Sequence, residues 1–156
     1  DSDFIGNSAS KTGIRALDLV DSLRLLTVPG RATAAVHLAM ISYCEITRNM
    51  TVFAVRDPPA GQTAAQMVTY VKTTAAIKEL SEFGAIYWPR IKISNPSKTI
   101  FGTDSNVVVP PSAAICGVYA RNDAAQPGGV YEAPAGIEFG RIAGMTGLET
   151  DEVNDE

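Results

Sequence analysis

The sequence predicts an α/β domain: a layered, mostly parallel sheet with flanking helices, followed by an irregular Gly/Pro-rich C-terminal segment. Three observations carry this. Apolar periodicity in the first half alternates between short β-type runs and longer helical stripes. Strands and helices alternating at such lengths build βαβ units with right-handed crossovers. The composition is that of a globular chain, with 156 residues, 46% hydrophobic and 19% charged. That balance excludes a disordered chain, a coiled coil and a collagen-like repeat.

Taken in order, Leu23 to Val28 reads as a strand stopped by Pro29-Gly30. Thr33 to Arg48 carries Val36, Met40 and Cys44 at four-residue spacing, with Ala39, Tyr43 and Ile46 alongside, the wide stripe of a core-facing helix. Thr51 to Arg56 is a short strand of β-branched and aromatic residues, closed by the turn Asp57-Pro58-Pro59-Ala60-Gly61. Thr63 with Gln66 three residues on is a capping box, in which each side chain satisfies a first-turn N–H. The helix it starts puts Ala64, Met67, Val68, Val71 and Ala75 on one face as far as about Phe83, with Gly84 as its stop. Ala85 to Ile93 is the next strand, and Pro89 in its middle points to an edge or bulge position.

The second half is less regular. Asn95 to Asn106 is polar and turn-rich, and Val107 to Val109 is a short apolar run. Pro110-Pro111-Ser112 then opens a helix to about Ala125, with Ala114, Cys116, Val118 and Tyr119 inward, because proline is tolerated where the N–H would be unpaired anyway. Residues 127 to 147 are Gly/Pro-rich and irregular. Glu149 to Glu156 holds five acids and no base, and Thr150 before Asp151-Glu152 resembles a helix N-cap with acids at the positive end of the dipole. The expected organisation is one domain over 1–148 and the start of an interrupted helix over 149–156.

Charge bears on partners. The chain carries 13 bases and 17 acids, net −4, but residues 1–148 carry 13 bases and 12 acids. With bases scattered rather than clustered (Arg90, Lys92 and Lys98 come nearest), nucleic acid is not an expected partner. No apolar run reaches the ~18 residues of a membrane span, and none has the flanks of a signal peptide, so a membrane is not expected either. Cys44 and Cys116 lie in apolar periodic segments and read as free buried thiols.

Sites for chemistry mostly fail on residue type or spacing. Gly6-Asn7-Ser8-Ala9-Ser10-Lys11-Thr12 approaches a phosphate loop, but Ser10 stands where a glycine must precede the lysine for the backbone to curl around phosphate oxygens. It reads instead as a surface loop leading into an amphipathic stretch of Ile14, Leu17 and Val20. A serine relay would need His37, the one histidine, which sits on a helical stripe as core residues do. No Gly-x-Ser-x-Gly elbow is present. One histidine and two distant cysteines do not make a tetrahedral metal site, and Glu79 with Glu82 reads as a solvated face. No catalytic, cofactor-binding or metal-binding residue is therefore assigned. The runner-up reading is a degenerate doubly wound hydrolase or nucleotide-dependent enzyme using His37 or the Gly6–Thr12 loop.

What stands out instead is an ordered series of motifs, several of them rigid proline turns next to aromatics. In order they are Thr12-Gly13-Ile14-Arg15-Ala16-Leu17, then Leu25-Leu26-Thr27-Val28-Pro29-Gly30, then Asp57-Pro58-Pro59 and Ala85-Ile86-Tyr87-Trp88-Pro89-Arg90. Val109-Pro110-Pro111-Ser112 follows, running through Gly117-Val118-Tyr119-Ala120-Arg121-Asn122-Asp123, and then Gly129-Val130-Tyr131-Glu132-Ala133-Pro134-Ala135-Gly136. This ordered series, over about residues 12 to 148, resembles the tail sheath proteins of contractile bacteriophages and related contractile injection systems. The resemblance implies a structural protein with a subtilisin-like α/β core domain and no protease activity. It implies six-fold rings of sheath subunits in a helical lattice around an inner tail tube protein, bounded by baseplate and tail terminator. Such a lattice assembles in the host bacterial cytoplasm, belongs to the virion, and contracts to drive the tube through the target envelope for genome ejection. Carried over by motif, Arg121, Asp123, Tyr131, Glu132 and Pro134 are candidate interface or loop-fixing residues. Sheath proteins extend beyond both ends of the matched region and join neighbours by strand addition. The chain thus reads as an internal piece, expected to be monomeric or weakly associated alone.

Overall fold

The computed structural model describes residues 1–74, 82–95, 106–125 and 141–152. The chain is mixed α/β and divides into two compact units, Asp1–Trp88 and Pro89–Glu156.

The first unit holds the expected βαβ repeat. Strands β1 (Leu25–Leu26), β2 (Phe53–Arg56) and β3 (Gly84–Ile86) form a three-stranded parallel sheet in chain order, with Leu26 opposite Ala54 and Val55 opposite Ala85. Helix α2 (Ala34–Ser42) connects the first pair, and α3 (Ala64–Thr69) lies in the connection of the second. Preceding them are the single-turn helix α1 (Ser2–Ile5) and a 3-10 helix over Gly13–Leu19. Thr33 caps α2 by accepting from the Val36 N–H. The capping box at Thr63 is present in both directions, with Thr63 N donating to Gln66 Oε1 and Gln66 N to Thr63 Oγ1. The core includes Val36, Met40, Ile41, Tyr43 and Cys44 of α2 and its continuation, together with Ile14, Leu26, Val52 and Ala54.

Both helices depart from the expected stripe at a tyrosine. Past Ser42 the chain continues as a π-helical turn over Tyr43–Thr47, with Arg48 N bonding Tyr43 O, and past Thr69 as another over Tyr70–Thr74. A wider turn shifts the faces. Hence Ile46, expected inward, is exposed, whereas Met40, Tyr43 and Cys44 are buried as expected. On α3 only Met67 is buried, while Ala64 and Val68 face outward and the half-buried Tyr70 takes the core-facing role. Ala75 and most of the expected extension to Phe83 lie outside the described residues.

Gly84 is not a helix stop but the first residue of β3. A Cβ there would run into Ile41 Cδ1 and lie 3.2 Å from the Ala54 Cβ, so glycine lets β3 approach β2 and α2. The single strand expected over Ala85–Ile93 is two. β3 ends at Ile86, and β4 (Ile91–Ser94) belongs to the second unit and a different sheet.

In that second unit β4 is central, not an edge. It pairs antiparallel with β5 (Asn106–Val109) on one side and β6 (Met145–Leu148) on the other, with Ile91 opposite Val109 and Leu148. A bulge falls between Lys92 and Ile93, after Pro89 rather than at it. The expectation of a mostly parallel sheet therefore holds for the first unit alone. Helix α4 runs from Ser112 to Ala125, as read from Pro110-Pro111-Ser112. Its buried residues are Ser112, Val118 and Asn122, with Ala114, Cys116 and Tyr119 half-buried. The end of the Gly/Pro-rich segment is regular, since β6 occupies 145–148, and Glu149–Glu152 forms a 3-10 turn that contains Thr150 instead of being capped by it.

Candidate functional site

Four polar side chains meet at the C-terminal end of the parallel sheet. β2 ends on Arg56, and the next residue, Asp57, opens the Pro58-Pro59 turn; both are buried. Opposite them α2 contributes His37, 0% exposed. The turn after α3 contributes Tyr70, whose ring stands edge-on to the imidazole at 76° with centroids 6.3 Å apart.

The hydrogen bonds organise the turns around this cluster. Tyr70 Oη donates to the Ala32 carbonyl at 2.7 Å and lies 3.4 Å from His37 Nδ1. Because the phenolic proton is committed to Ala32, the second contact runs from Nδ1–H to the Tyr70 oxygen. Asp57 Oδ2 accepts the Gly30 N–H at 2.9 Å. Arg56 Nη2 donates to the Gly84 carbonyl at 3.3 Å. Tyr87 N donates to the Arg56 carbonyl, and Trp88 Nε1 donates to the Gln62 carbonyl at 3.1 Å.

Electrostatics keeps the histidine neutral. Burial, reinforced by the Arg56 guanidinium, pushes the His37 pKa down to about 4, against an opposing pull from Asp57 and from the backbone of Asp57 and Arg31. Burial also lowers the Arg56 pKa and raises that of Tyr70. Among the described residues the ring's one side-chain hydrogen-bond partner is Tyr70, and Nε2 has none. A general base needs a face from which to take a proton. Fully enclosed and joined to a tyrosine instead of a nucleophile, His37 is built as a core residue.

The other candidate enzymatic element is a surface loop, as expected. Phe4 and Ile5, which look strand-like in sequence, belong to α1. Gly6 (φ +73°) has the Thr12 backbone where a Cβ would stand, which accounts for the glycine without a ligand. Asn7 Oδ1 accepts from Ala9 N and Ser10 N, and Lys11 is paired with Asp18 at 2.7 Å. Asp18 is held below the usual carboxylate range chiefly by that hydrogen bond. Ile14 is buried and Leu17 half-buried, but Val20 is exposed.

In the second unit Arg121 and Asp123 are both exposed near the end of α4. Arg121 Nη2 donates to the Arg141 carbonyl at 2.7 Å, tying the helix to the chain that leads into β6. Tyr131, Glu132 and Pro134 lie outside the described residues. Cys44 is buried and Cys116 half-buried, both as free thiols. Among the described residues, no group of three His, Cys, Asp or Glu could hold a metal, and no helix is long and apolar enough to cross a membrane.

Sequence reasoning missed Arg56, Asp57 and Tyr70 as partners of His37. An Arg-Asp pair directly after an apolar strand was a usable signal, because charges there fall at the C-terminal edge of a parallel sheet. Tyr70 gave none, since only the fold brings it across 33 residues to His37.

Compared with known proteins, the chain matches no family model and no curated protein sequence.

Proposed function

We propose that this chain is the core part of a contractile tail sheath subunit, a structural protein that polymerises around an inner tube. The observation that carries the reading is the ordered motif series from Thr12 to Gly136. A local fact supports it. Three of those motifs, Val28-Pro29-Gly30, Asp57-Pro58-Pro59 and Tyr87-Trp88, belong to one hydrogen-bonded corner, through Gly30 to Asp57, Tyr87 to Arg56 and Trp88 to Gln62. Residues spaced about thirty apart are then explained together as the parts of one shaped corner, with no reactive group needed to account for them.

In this reading the subunits form six-fold rings in a helical lattice between baseplate and terminator. Contraction exchanges one packing of a subunit with its neighbours for another, and the stored energy is lattice energy. Arg121, Asp123, Tyr131, Glu132 and Pro134 serve the inner face or fix its loop, and the subtilisin-like core of the family describes topology alone. The test is an electron micrograph of the longer parent protein that the reading entails: tubes with six-fold end views are expected. Dispersed particles under assembly conditions, or stable hexamers of this 156-residue chain in sedimentation, would count against it.

A further inference from the structure

We propose that the His37 corner is an acid-sensitive latch, in which protonation of the imidazole releases the turns at Pro29–Gly30 and Asp57–Gly61 from α2 and α3. The groups facing the ring are Arg56 from β2, Asp57 from the turn after it and Tyr70 from the extension of α3. Each is already committed. Tyr70 gives its proton to Ala32, Asp57 Oδ2 takes the Gly30 N–H, and Arg56 Nη2 serves the Gly84 carbonyl. A proton on His37 would add a second buried cation beside the guanidinium, whose Nε and Nη1 find no hydrogen-bond partner among the described residues.

An intact corner consequently resists protonation, whereas an opened one presents the ring to water. The native pKa of about 4 lies below the ordinary 6.5, so the open form binds the proton more readily. Closure is fully favoured above pH 6.5 and weakens as the pH falls toward 4. Between pH 7 and pH 5 the linkage shifts the opening equilibrium by roughly 20–30-fold. The corner contains the chain ends of two βαβ connections, so its release frees the loops that shape this end of the unit.

The chain has one histidine and one tryptophan, and both are in the first unit. The test follows three signals from pH 7.5 to 4 in the intact chain and in His37→Gln: the His37 ring by NMR, Trp88 fluorescence, and amide exchange at Gly30 corrected for its intrinsic rate. The latch predicts a native ring that stays neutral through pH 6.5. It also predicts a Trp88 shift and a roughly 20–30-fold rise in Gly30 opening by pH 5, both removed in His37→Gln. A ring titrating near 6.5 with Trp88 unmoved overturns it. An undiminished acid response in His37→Gln also overturns it, since the response then belongs to carboxylates. Should His37→Gln not fold, the unmodified chain still decides, because Gly30 opening must rise about tenfold per pH unit between 6.5 and 4 and level off where the native ring itself titrates, and a rise without that plateau overturns the latch.

Discussion

Gly30 donates its amide N–H to Asp57 Oδ2 at 2.9 Å, joining two proline turns 27 residues apart. Asp57 is 1% exposed whereas Gly30 is exposed, so the bond ties a surface turn to a buried carboxylate. Truncation in Asp57→Ala removes the acceptor that joins the two turns and empties a buried position, and should cost about 1–3 kcal/mol, while Asp57→Asn, which keeps an acceptor, should cost less. Urea unfolding of both variants checks the order. Equal loss in the two would mean that the negative charge, not the acceptor, is what the turn requires.

The close approach at Gly84 sets a second expectation. Gly84→Ala drives a methyl group into Ile41 Cδ1 and should destabilise the unit by about 1–3 kcal/mol through overpacking. Ile41→Val removes that atom. In a double-mutant cycle Ile41→Val should therefore recover part of the loss, giving a coupling of more than about 0.5 kcal/mol. Additive effects would mean that β3 simply shifts.

Thr63→Ala removes the side chain that accepts from Gln66 N, and should lower stability by about 1 kcal/mol, as loss of an N-cap does. Gln66→Ala removes the reciprocal bond to Thr63 N, and the pair should be less than additive because each needs the other's geometry. Thermal unfolding of the two single variants and the double variant reads this directly.

The thiol of Cys44 is pushed up to about 12 by burial, with Glu45 adding to the effect. Thiolate is the reactive form, so Cys44 should resist thiol-specific reagents in the native chain at pH 8 and react on unfolding. A Cys116→Ser variant isolates it. Labelling of that variant at the rate of a free thiol in the absence of denaturant would contradict the burial.

His37 gives global stability a definite pH slope. The pKa of about 4 in the fold against 6.5 ordinarily means that the unfolded chain takes the proton first. The contribution is whole above pH 6.5 and is lost as the pH falls toward 4; about 2 kcal/mol should disappear between pH 7 and pH 5. Urea midpoints at the two pH values, with His37→Gln as the non-titrating comparison, measure it.

The βαβ repeat was legible because the periods of 2 and 3.6 are carried by individual residues: Val36, Met40 and Cys44 are all buried, and Thr63 and Gln66 form their box. The helix at Ser112 was legible for the same local reason. What could not be read were features that depend on distant chain. The π turns at Tyr43 and Tyr70 carry no mark in the sequence, nor does the outward position of Ile46 within the first or of Val68 ahead of the second. Pro89 announced an interruption, but not that the two halves of the run enter separate sheets. His37 is a core residue, as its helical stripe predicts, yet its partners come from the end of β2 and the residues just past β2 and α3, and no spacing within α2 identifies them.

The monotonic strand order β1-β2-β3 has a topological consequence. Open α/β sheets bind ligands in the crevice that appears where neighbouring strands send their connections in opposite directions. The three described parallel strands contain no such reversal, so their carboxyl ends do not part to form a cleft. The space above them is filled by the imidazole, guanidinium and carboxylate of the chain itself, and the sheet serves as a floor for its own turns.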